Sequence, residues 1–187
     1  AASRTARELA REQITADIID EGRTQLAEHG AAGLSLRSVA RELGMVSSAV
    51  YRYVASRDDL LTRLIIEAYD SLGDAVELAA GQSADEPPLE RWVSTAHAVR
   101  DWALARPQEY FLVFGTPVPG YAAPEITATT GTRTPRALVG IVADALDAGQ
   151  VRPPAEVPQR AAAGGDKAGT RAADMAAATV TGRRGGG

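Results

Sequence analysis

Apolar side chains recur every three or four residues along the first part of the chain, which places them on one face of an α-helix. This spacing predicts a helix from about residue 5 to residue 29, and Gly30 ends it. The apolar positions on that face are Leu9, Ile14, Ile18 and Leu26. No stretch shows the sustained alternation of apolar and polar residues that is typical of a half-buried strand. The sequence therefore predicts an all-α fold.

Two much shorter helical patterns follow. Ser35 can cap the first, and Gly44 ends it because glycine accepts a left-handed backbone. The second begins at Val46 or Ser47 and ends near Tyr53. Five apolar residues of this pair are spaced to face inward, namely Val39, Ala40, Leu43, Val50 and Val54. Because isolated helices shorter than ~12–15 residues are marginal in water, we expect the neighbouring long helices to act as a platform.

A long helix and a helical body complete the pattern. The sequence "SRDD" after Ala55 is a helix start signal, and the helix that follows is predicted to reach about Ala80. Residues 81–88 break the periodicity and indicate a hinge. Helical spacing returns over 89–105, 107–114 and 135–148. Residues 115–124 hold three prolines and two glycines, so no regular helix is expected there.

These elements divide the chain into four regions. Residues 5–56 are predicted to form a three-helix head, residues 57–80 a connecting helix, and residues 88–150 a helical body. Residues 151–187 form a low-complexity tail rich in alanine and glycine. Alanine buries little apolar area, and each Å² contributes only ~25 cal/mol. We therefore expect this tail to be either disordered or atypical in structure.

Composition narrows the function classes. The chain of 187 residues has no cysteine, which excludes disulfides and thiolate metal sites. No apolar run approaches the ~18–20 residues of a membrane span, and the first ten residues lack the apolar core of a signal peptide. We expect a cytoplasmic protein that does not contact a membrane. The two histidines, His29 and His97, stand in no metal-binding motif, and no catalytic or nucleotide-binding motif occurs. We expect neither an enzyme nor a bound metal or cofactor.

Charge is distributed unevenly. The net charge is −4, yet residues 35–57 carry four arginines and one glutamate. Two short helices around a glycine turn are the arrangement of a helix-turn-helix unit, whose second helix enters the DNA major groove. Its outward residues are Ser47, Ser48, Tyr51 and Arg52. Small hydroxyls, a phenol and a guanidinium can bond phosphates and base edges, so this region predicts DNA binding.

The same region resembles a known family. The segment "LSLRSVARELGMVSSAVYRYVASRDDLL", residues 34–61, looks like the DNA-binding head of the tetracycline-repressor (TetR) family of bacterial transcriptional regulators. Tyr51 and Gly44 match the tyrosine and the turn glycine of the family pattern. Departures at Met45, Tyr53, Val54 and Arg57 keep size or charge class. The DNA-contacting positions that the resemblance implies are Ser35, Arg37, Ser47, Ser48, Ala49, Tyr51, Arg52, Tyr53 and Arg57.

The body carries a second, less specific resemblance. The segment "RWVSTAHAVRDWALARPQEYFLVFGTPVPGYAAP", residues 91–124, is similar to a regulatory C-terminal domain of TetR-like proteins. It holds most of the aromatic residues, which could line a cavity for a small apolar or amphipathic effector. The candidate ligand-binding residues are Trp92, His97, Trp102, Tyr110, Phe111 and Phe114. The same residues would equally suit a filled core.

The family resemblance also implies partners. It implies a homodimer on a palindromic operator of double-stranded DNA, and a repressor that a small-molecule effector releases. Family bodies usually continue with two long apolar helices that pair across the dimer, whereas the tail of this chain has only one methionine and one valine as large apolar residues after residue 160. A helix-turn-helix module that binds a protein without a ligand is the alternative, and weak salt dependence would distinguish it.

Overall fold

The computed structural model describes residues 5–152, which form eight α-helices and one short 3-10 turn. The helices are α1 Ala6–His29, α2 Leu36–Glu42, α3 Ser47–Val50, α4 Arg57–Gln82, α5 Pro88–Ala105, α6 Pro107–Phe114, α7 Glu125–Gly131 and α8 Arg133–Asp147, and the turn is Ala31–Gly33. These residues contain no strand, which confirms the all-α fold. None of the helices within 5–152 is both long and apolar enough to cross a membrane. The predicted tail lies almost wholly outside the described residues.

Local signals in the sequence explain where the first helices begin and end. Thr5 and Glu8 form a reciprocal capping box at the start of α1, with the Thr5 amide donating to Glu8 Oε2 at 2.7 Å. Ser56 caps α4 by accepting a hydrogen bond from the Asp59 amide at 3.0 Å. Gly44 follows α2 with a φ of +64°, the left-handed conformation expected of it.

Three elements differ from the sequence prediction. The α-helical part of α3 stops at Val50, and residues 51–53 continue as a turn. Helix α7 occupies Glu125–Gly131, a range for which no helix was predicted. Helix α8 begins at Arg133, two residues before the predicted start. Residues 115–124 contain no helix, as expected.

One apolar core joins the head to the first half of α4. Val39, Ala40, Val50 and Val54 are each 0% exposed, which confirms their inward orientation, and Leu43 is half-buried. The platform residues that bury them are Ile18, Ile19, Leu60, Leu61, Leu64 and Ile65 from α1 and α4. Neither α2 nor α3 has enough residues to be stable alone, so this burial provides the main stabilisation of both.

The second half of α4 forms the core of the body. Ala68, Leu72 and Val76 pack against Trp102 of α5, which is only 4% exposed. Helix α4 therefore runs continuously from the head core into the body core. The loop between α6 and α7 returns to the head: Val118 and Tyr121 pack against the head core, and the Tyr121 hydroxyl lies 2.9 Å from that of Thr62.

Arg133 at the start of α8 fixes the last described helix on α4. Its guanidinium pairs with Asp70 at 3.1 Å, Asp74 at 2.6 Å and Glu77 at 2.7 Å. The hydrogen bonds from Arg133 lower the pKa of Glu77. Gly73 makes room for this contact, since a Cβ there would lie 2.8 Å from Arg133 Nε.

The glycines at positions 44 and 140 should respond oppositely to the same substitution. A Cβ at either position would meet no atom within 4 Å, so only the backbone conformation matters. Gly44→Ala forces alanine into a left-handed φ and should lower the free energy of unfolding by roughly 1–2 kcal/mol. Gly140→Ala lies inside α8 and should raise it by roughly 0.5–1 kcal/mol. Equilibrium urea unfolding measures both, and two changes of the same sign would contradict this account.

Candidate nucleic-acid interface

Helix α3 and the turn after it have one buried side and one exposed side. Val50 and Val54 are fully buried, whereas Ser47, Ser48 and Arg52 are exposed. Tyr51 exposes 47% of its surface, and Ala49 is half-buried between the two sides. The two serines stand in the first turn of α3, and the N-cap residue Val46 before them is 73% exposed. This is the face that the sequence predicted to contact DNA.

Tyr53 has a different environment from Tyr51. Its ring is half-buried and packs against the head core. The guanidinium of Arg11 lies over the ring, with Cζ 5.3 Å from the ring centroid. Tyr53 therefore serves the packing of the turn, and the part of it that remains accessible is smaller than that of Tyr51. Its contact with DNA stays a prediction.

Ser35 and Arg37 lie at the start of α2. The Ser35 hydroxyl accepts a hydrogen bond from the Ser38 amide at 3.4 Å, and the Ser35 amide donates to Gln25 Oε1 at 3.2 Å. Gln25 is only 4% exposed, so this bond links α1 to the start of α2 inside the head. Arg37 is exposed, and its side chain has no hydrogen bond or ion pair with any residue of the described part. Its guanidinium is free to meet a phosphate.

The Arg57 side chain makes two hydrogen bonds and an ion pair within the head. Its Nη2 donates to the carbonyl of Ala31 at 2.7 Å, its Nε donates to the carbonyl of Leu34 at 3.2 Å, and Nη1 lies 3.5 Å from Asp58. The guanidinium thus holds the turn before α2 against the start of α4. The resemblance implies a phosphate clamp at this position, and the geometry gives the side chain a prior structural role. Sequence reasoning missed this role because no spacing rule joins positions 23 and 26 residues apart.

Of the predicted ligand-binding residues of the body, Tyr110 and Phe111 line one groove, and the other four are not among its lining residues. Trp102 is buried in the body core and donates from Nε1 to Ser71 Oγ at 3.1 Å, so its burial removes it from any site on the surface. Tyr110 and Phe111 lie beside Leu104 in an open groove of about 460 Å³ between α5 and α6. Trp92, His97 and Phe114 are not among the groove's lining residues.

The described residues hold no group of three or more histidine, cysteine, aspartate or glutamate side chains placed to bind a metal ion. Arg41, which is also exposed, donates to the Ser38 hydroxyl at 2.7 Å and pairs with Glu42 at 3.3 Å.

The contacts of Arg57 predict that its loss destabilises the head. Arg57→Gln removes charged donors from two carbonyls and should lower the free energy of unfolding by roughly 1–3 kcal/mol. Arg37→Gln removes the same charge from an exposed arginine and should change it by less than about 0.5 kcal/mol. Chemical denaturation of the two variants compares them directly. Equal stability of both would show that Arg57 does not hold the turn.

Comparison with known proteins places these features in a family. Residues 18–64 match the family model described as bacterial regulatory proteins of the tetR family, and residues 92–183 match the tetracyclin repressor-like C-terminal domain. The first match covers the second half of α1, all of α2 and α3, and the start of α4. The second begins at Trp92 and extends into the segment that composition had set apart as a tail.

Individual relatives agree with these matches. The HTH-type transcriptional regulator Rv1816 of Mycobacterium tuberculosis is 49% identical over 144 residues, 76% of this chain. The chain spans 62% of the length of that curated relative. A crystal structure of the candidate regulatory protein SCO4313 shares 43% identity with a TM-score of 0.67, covering 78% of this chain and 71% of that one.

The fold is also shared more distantly. The TetR family transcriptional regulator PfmR from Thermus thermophilus matches with a TM-score of 0.59 at 20% identity, over 73% of this chain and 74% of that one. The helical head and body described above are thus the fold of these regulators, and the residues that face outward from α3 stand in its helix-turn-helix unit. The chain belongs to the tetR family of bacterial regulatory proteins, the helix-turn-helix transcriptional regulators.

Proposed function

We propose that this chain binds a specific DNA operator through α3 and acts as a transcriptional repressor that a small molecule releases. The observation that carries the proposal is the division of α3 into a buried valine side and an exposed side of serine, tyrosine and arginine. Because the valines are fixed in the head core, the exposed side has a fixed direction. Its target would be chromosomal DNA, so we expect the protein to act in the cytoplasm.

The chemistry of the exposed side suits a major groove. The groove is ~12 Å wide and admits a helix, whose base contacts come from its first residues. Ser47 and Ser48 stand at that end of α3 and allow close approach. Arg52 can donate to guanine or to a phosphate, and the Tyr51 hydroxyl can donate to a phosphate. Arg37 adds a further exposed cation at the start of α2.

A palindromic operator requires two copies of the head. A two-fold dimer places two recognition helices about one DNA turn apart, ~34 Å. The body leaves large apolar side chains exposed, which supports an interface there. On α8, Val142 is 41% and Leu146 is 39% exposed, although Ile141 and Ala145 beside them are buried. We propose a homodimer on this basis and on the family membership.

The groove between α5 and α6 is the candidate effector site. Its lining of alanine, valine, leucine, proline, tyrosine and phenylalanine with one arginine suits a small apolar or amphipathic molecule. Helix α6, which carries Tyr110 and Phe111, also touches the head. Glu109 of α6 lies 3.5 Å from Arg23 of α1, and Arg23 pairs with Glu67 of α4 at 2.6 Å. A ligand that moves α6 would therefore change the contacts that set the direction of the head.

The contacts of Arg23 with α4 and α6 form a junction between the head and the body, and burial there affects the pKa of Glu67. Partial burial raises the pKa of Glu67, and the nearby Arg23 opposes that effect. Asp20 and Glu109 add further negative charge around it. Arg23 thus pairs with three carboxylates from three helices, and Arg106 lies 3.9 Å from one of them, Glu109.

The DNA proposal predicts the effect of two substitutions on operator affinity. The operator would first be selected from a random-sequence duplex pool. Arg52→Ala should weaken binding to it by roughly 1–3 kcal/mol, and Tyr51→Phe by roughly 0.5–1.5 kcal/mol. Arg136→Ala, which removes an exposed arginine from α8 of the body, should leave binding unchanged. Gel retardation of the wild type and the three variants measures the affinities.

Salt dependence supplies the second readout of the same experiment. The logarithm of the binding constant should fall with the logarithm of salt concentration by ~0.9 for each phosphate neutralised. Selection of no sequence, or affinity that is indifferent to salt and to both head substitutions, would contradict the proposal. Such a result would favour the module that binds a protein partner.

The effector proposal predicts a linked change in stability and DNA affinity. In a screen of small apolar and amphipathic compounds, one that fills the groove should raise the melting temperature and weaken operator binding. Phe111→Ala should reduce both effects because Phe111 lines the groove. Ile126→Ala, a similarly exposed apolar residue that is not among the groove's lining residues, should reduce neither. A screen in which no compound alters both properties would contradict an effector.

A further inference from the structure

We propose that Arg11 of α1 is a positioning residue for the recognition surface of α3. The inference rests on the proposed DNA binding and assigns the role to a residue outside the predicted recognition set. Arg11 would act through the backbone and Tyr53, and not by touching DNA. Three observations on the end of α3 lead to it.

The first observation is the hydrogen bond that Arg11 makes. Its Nη2 donates to the carbonyl of Arg52 at 2.8 Å, across 41 positions of the sequence. Arg52 is one of the outward residues of the recognition surface. A bond to its own carbonyl fixes the backbone from which its side chain projects.

The second observation is that this carbonyl receives no other donor within residues 5–152. The turn after α3 is closed by the amides of Tyr53 and Val54, and both donate to the carbonyl of Val50. The last carbonyls of a helix have no partner within it. Arg11 therefore supplies the donor that the backbone lacks, and its positive charge is favourable beside carbonyls at a helix end.

The third observation is the position of the guanidinium over Tyr53. Its Cζ lies 5.3 Å from the ring centroid, within the range of a cation–π contact. The ring is half-buried against the head core, so it presents a fixed surface to Arg11. The guanidinium thus meets two consecutive residues, through the carbonyl of Arg52 and the ring of Tyr53.

The opposite side of this turn is held by α4. The amide of Ala55 donates to Asp59 Oδ2 at 2.8 Å, and Asp59 Oδ1 pairs with Arg63 Nε at 2.9 Å. The chain between α3 and α4 is therefore bound by α4 at Ala55 and by α1 at Arg52. Without Arg11, the Arg52 end of this segment would lose its contact with α1, and the contact of Ala55 with α4 would remain.

Lysine should not replace Arg11. An ammonium group can donate to the Arg52 carbonyl or lie over the ring, but it lacks the planar fork that does both at once. The charge would remain while the positioning would be lost. This difference separates a positioning role from a simple attraction of Arg11 to phosphate.

The test compares Arg11→Lys, Arg11→Gln and Arg7→Gln. Arg7 lies one turn earlier on α1 and is exposed, and its side chain makes no hydrogen bond or ion pair with other described residues, so its substitution controls for loss of charge. In the free protein, hydrogen exchange of the segment 51–55 should become roughly 3- to 10-fold faster in both Arg11 variants. Exchange in Arg7→Gln should match the wild type. Thermal unfolding verifies that each variant is folded.

DNA binding supplies the functional readout. Arg11→Lys should weaken binding to the selected operator by roughly 3- to 10-fold and leave affinity for an unrelated duplex, and the salt dependence, unchanged. If Arg11→Lys exchanged and bound as the wild type does, while Arg11→Gln lost affinity for all duplexes and reduced the salt dependence, Arg11 would be a phosphate contact and the inference would be wrong. If the wild type bound no duplex, the proposed function would fail, and hydrogen exchange would still decide whether Arg11 holds the turn.

Discussion

The burial of α2 and α3 against two long helices is the constraint on which the head depends. Helix α3 has four residues and α2 has seven, which is too few for either helix to be stable alone. Val39, Val50 and Val54 provide the anchorage because their side chains are completely enclosed in the core that α1 and α4 complete. Once these valines are fixed, the rotation of α3 is fixed, and serine, tyrosine and arginine point away from the core.

Polar contacts between side chain and backbone complete this arrangement. Gln25 receives the amide at the start of α2, Arg57 donates to the carbonyls before it, and Arg11 donates to the carbonyl after α3. All three residues belong to the long helices. The platform therefore binds the short helices both by their apolar faces and at their ends, which restricts the proposed recognition surface before any partner is present. Helix α4 extends the same rigid support into the body, where α6 and the loop after it contact the head.

Local rules predicted the parts of the structure that depend on neighbouring residues. The cap at Ser56, the glycine at position 44 and the inward valines follow from spacing and backbone preference, and the structure agrees. Contacts between distant positions could not be predicted in this way. Three hydrogen bonds join residues that only the fold brings together. They link Arg57 to Ala31, Trp102 to Ser71 and Arg11 to Arg52. The outward residues of α3 were predictable because an outward face is what remains when the inward face is assigned.

The most direct test of the account is to measure which groove of the operator the protein covers. Methylation at guanine N7 reports the major groove, and methylation at adenine N3 reports the minor groove. The account predicts that the bound protein protects N7 atoms in two clusters about one helical turn apart, ~10 base pairs, while adenine N3 stays reactive at those centres. Protection confined to the minor groove, or no protection at saturating protein and low salt, would contradict the claim that α3 enters the major groove.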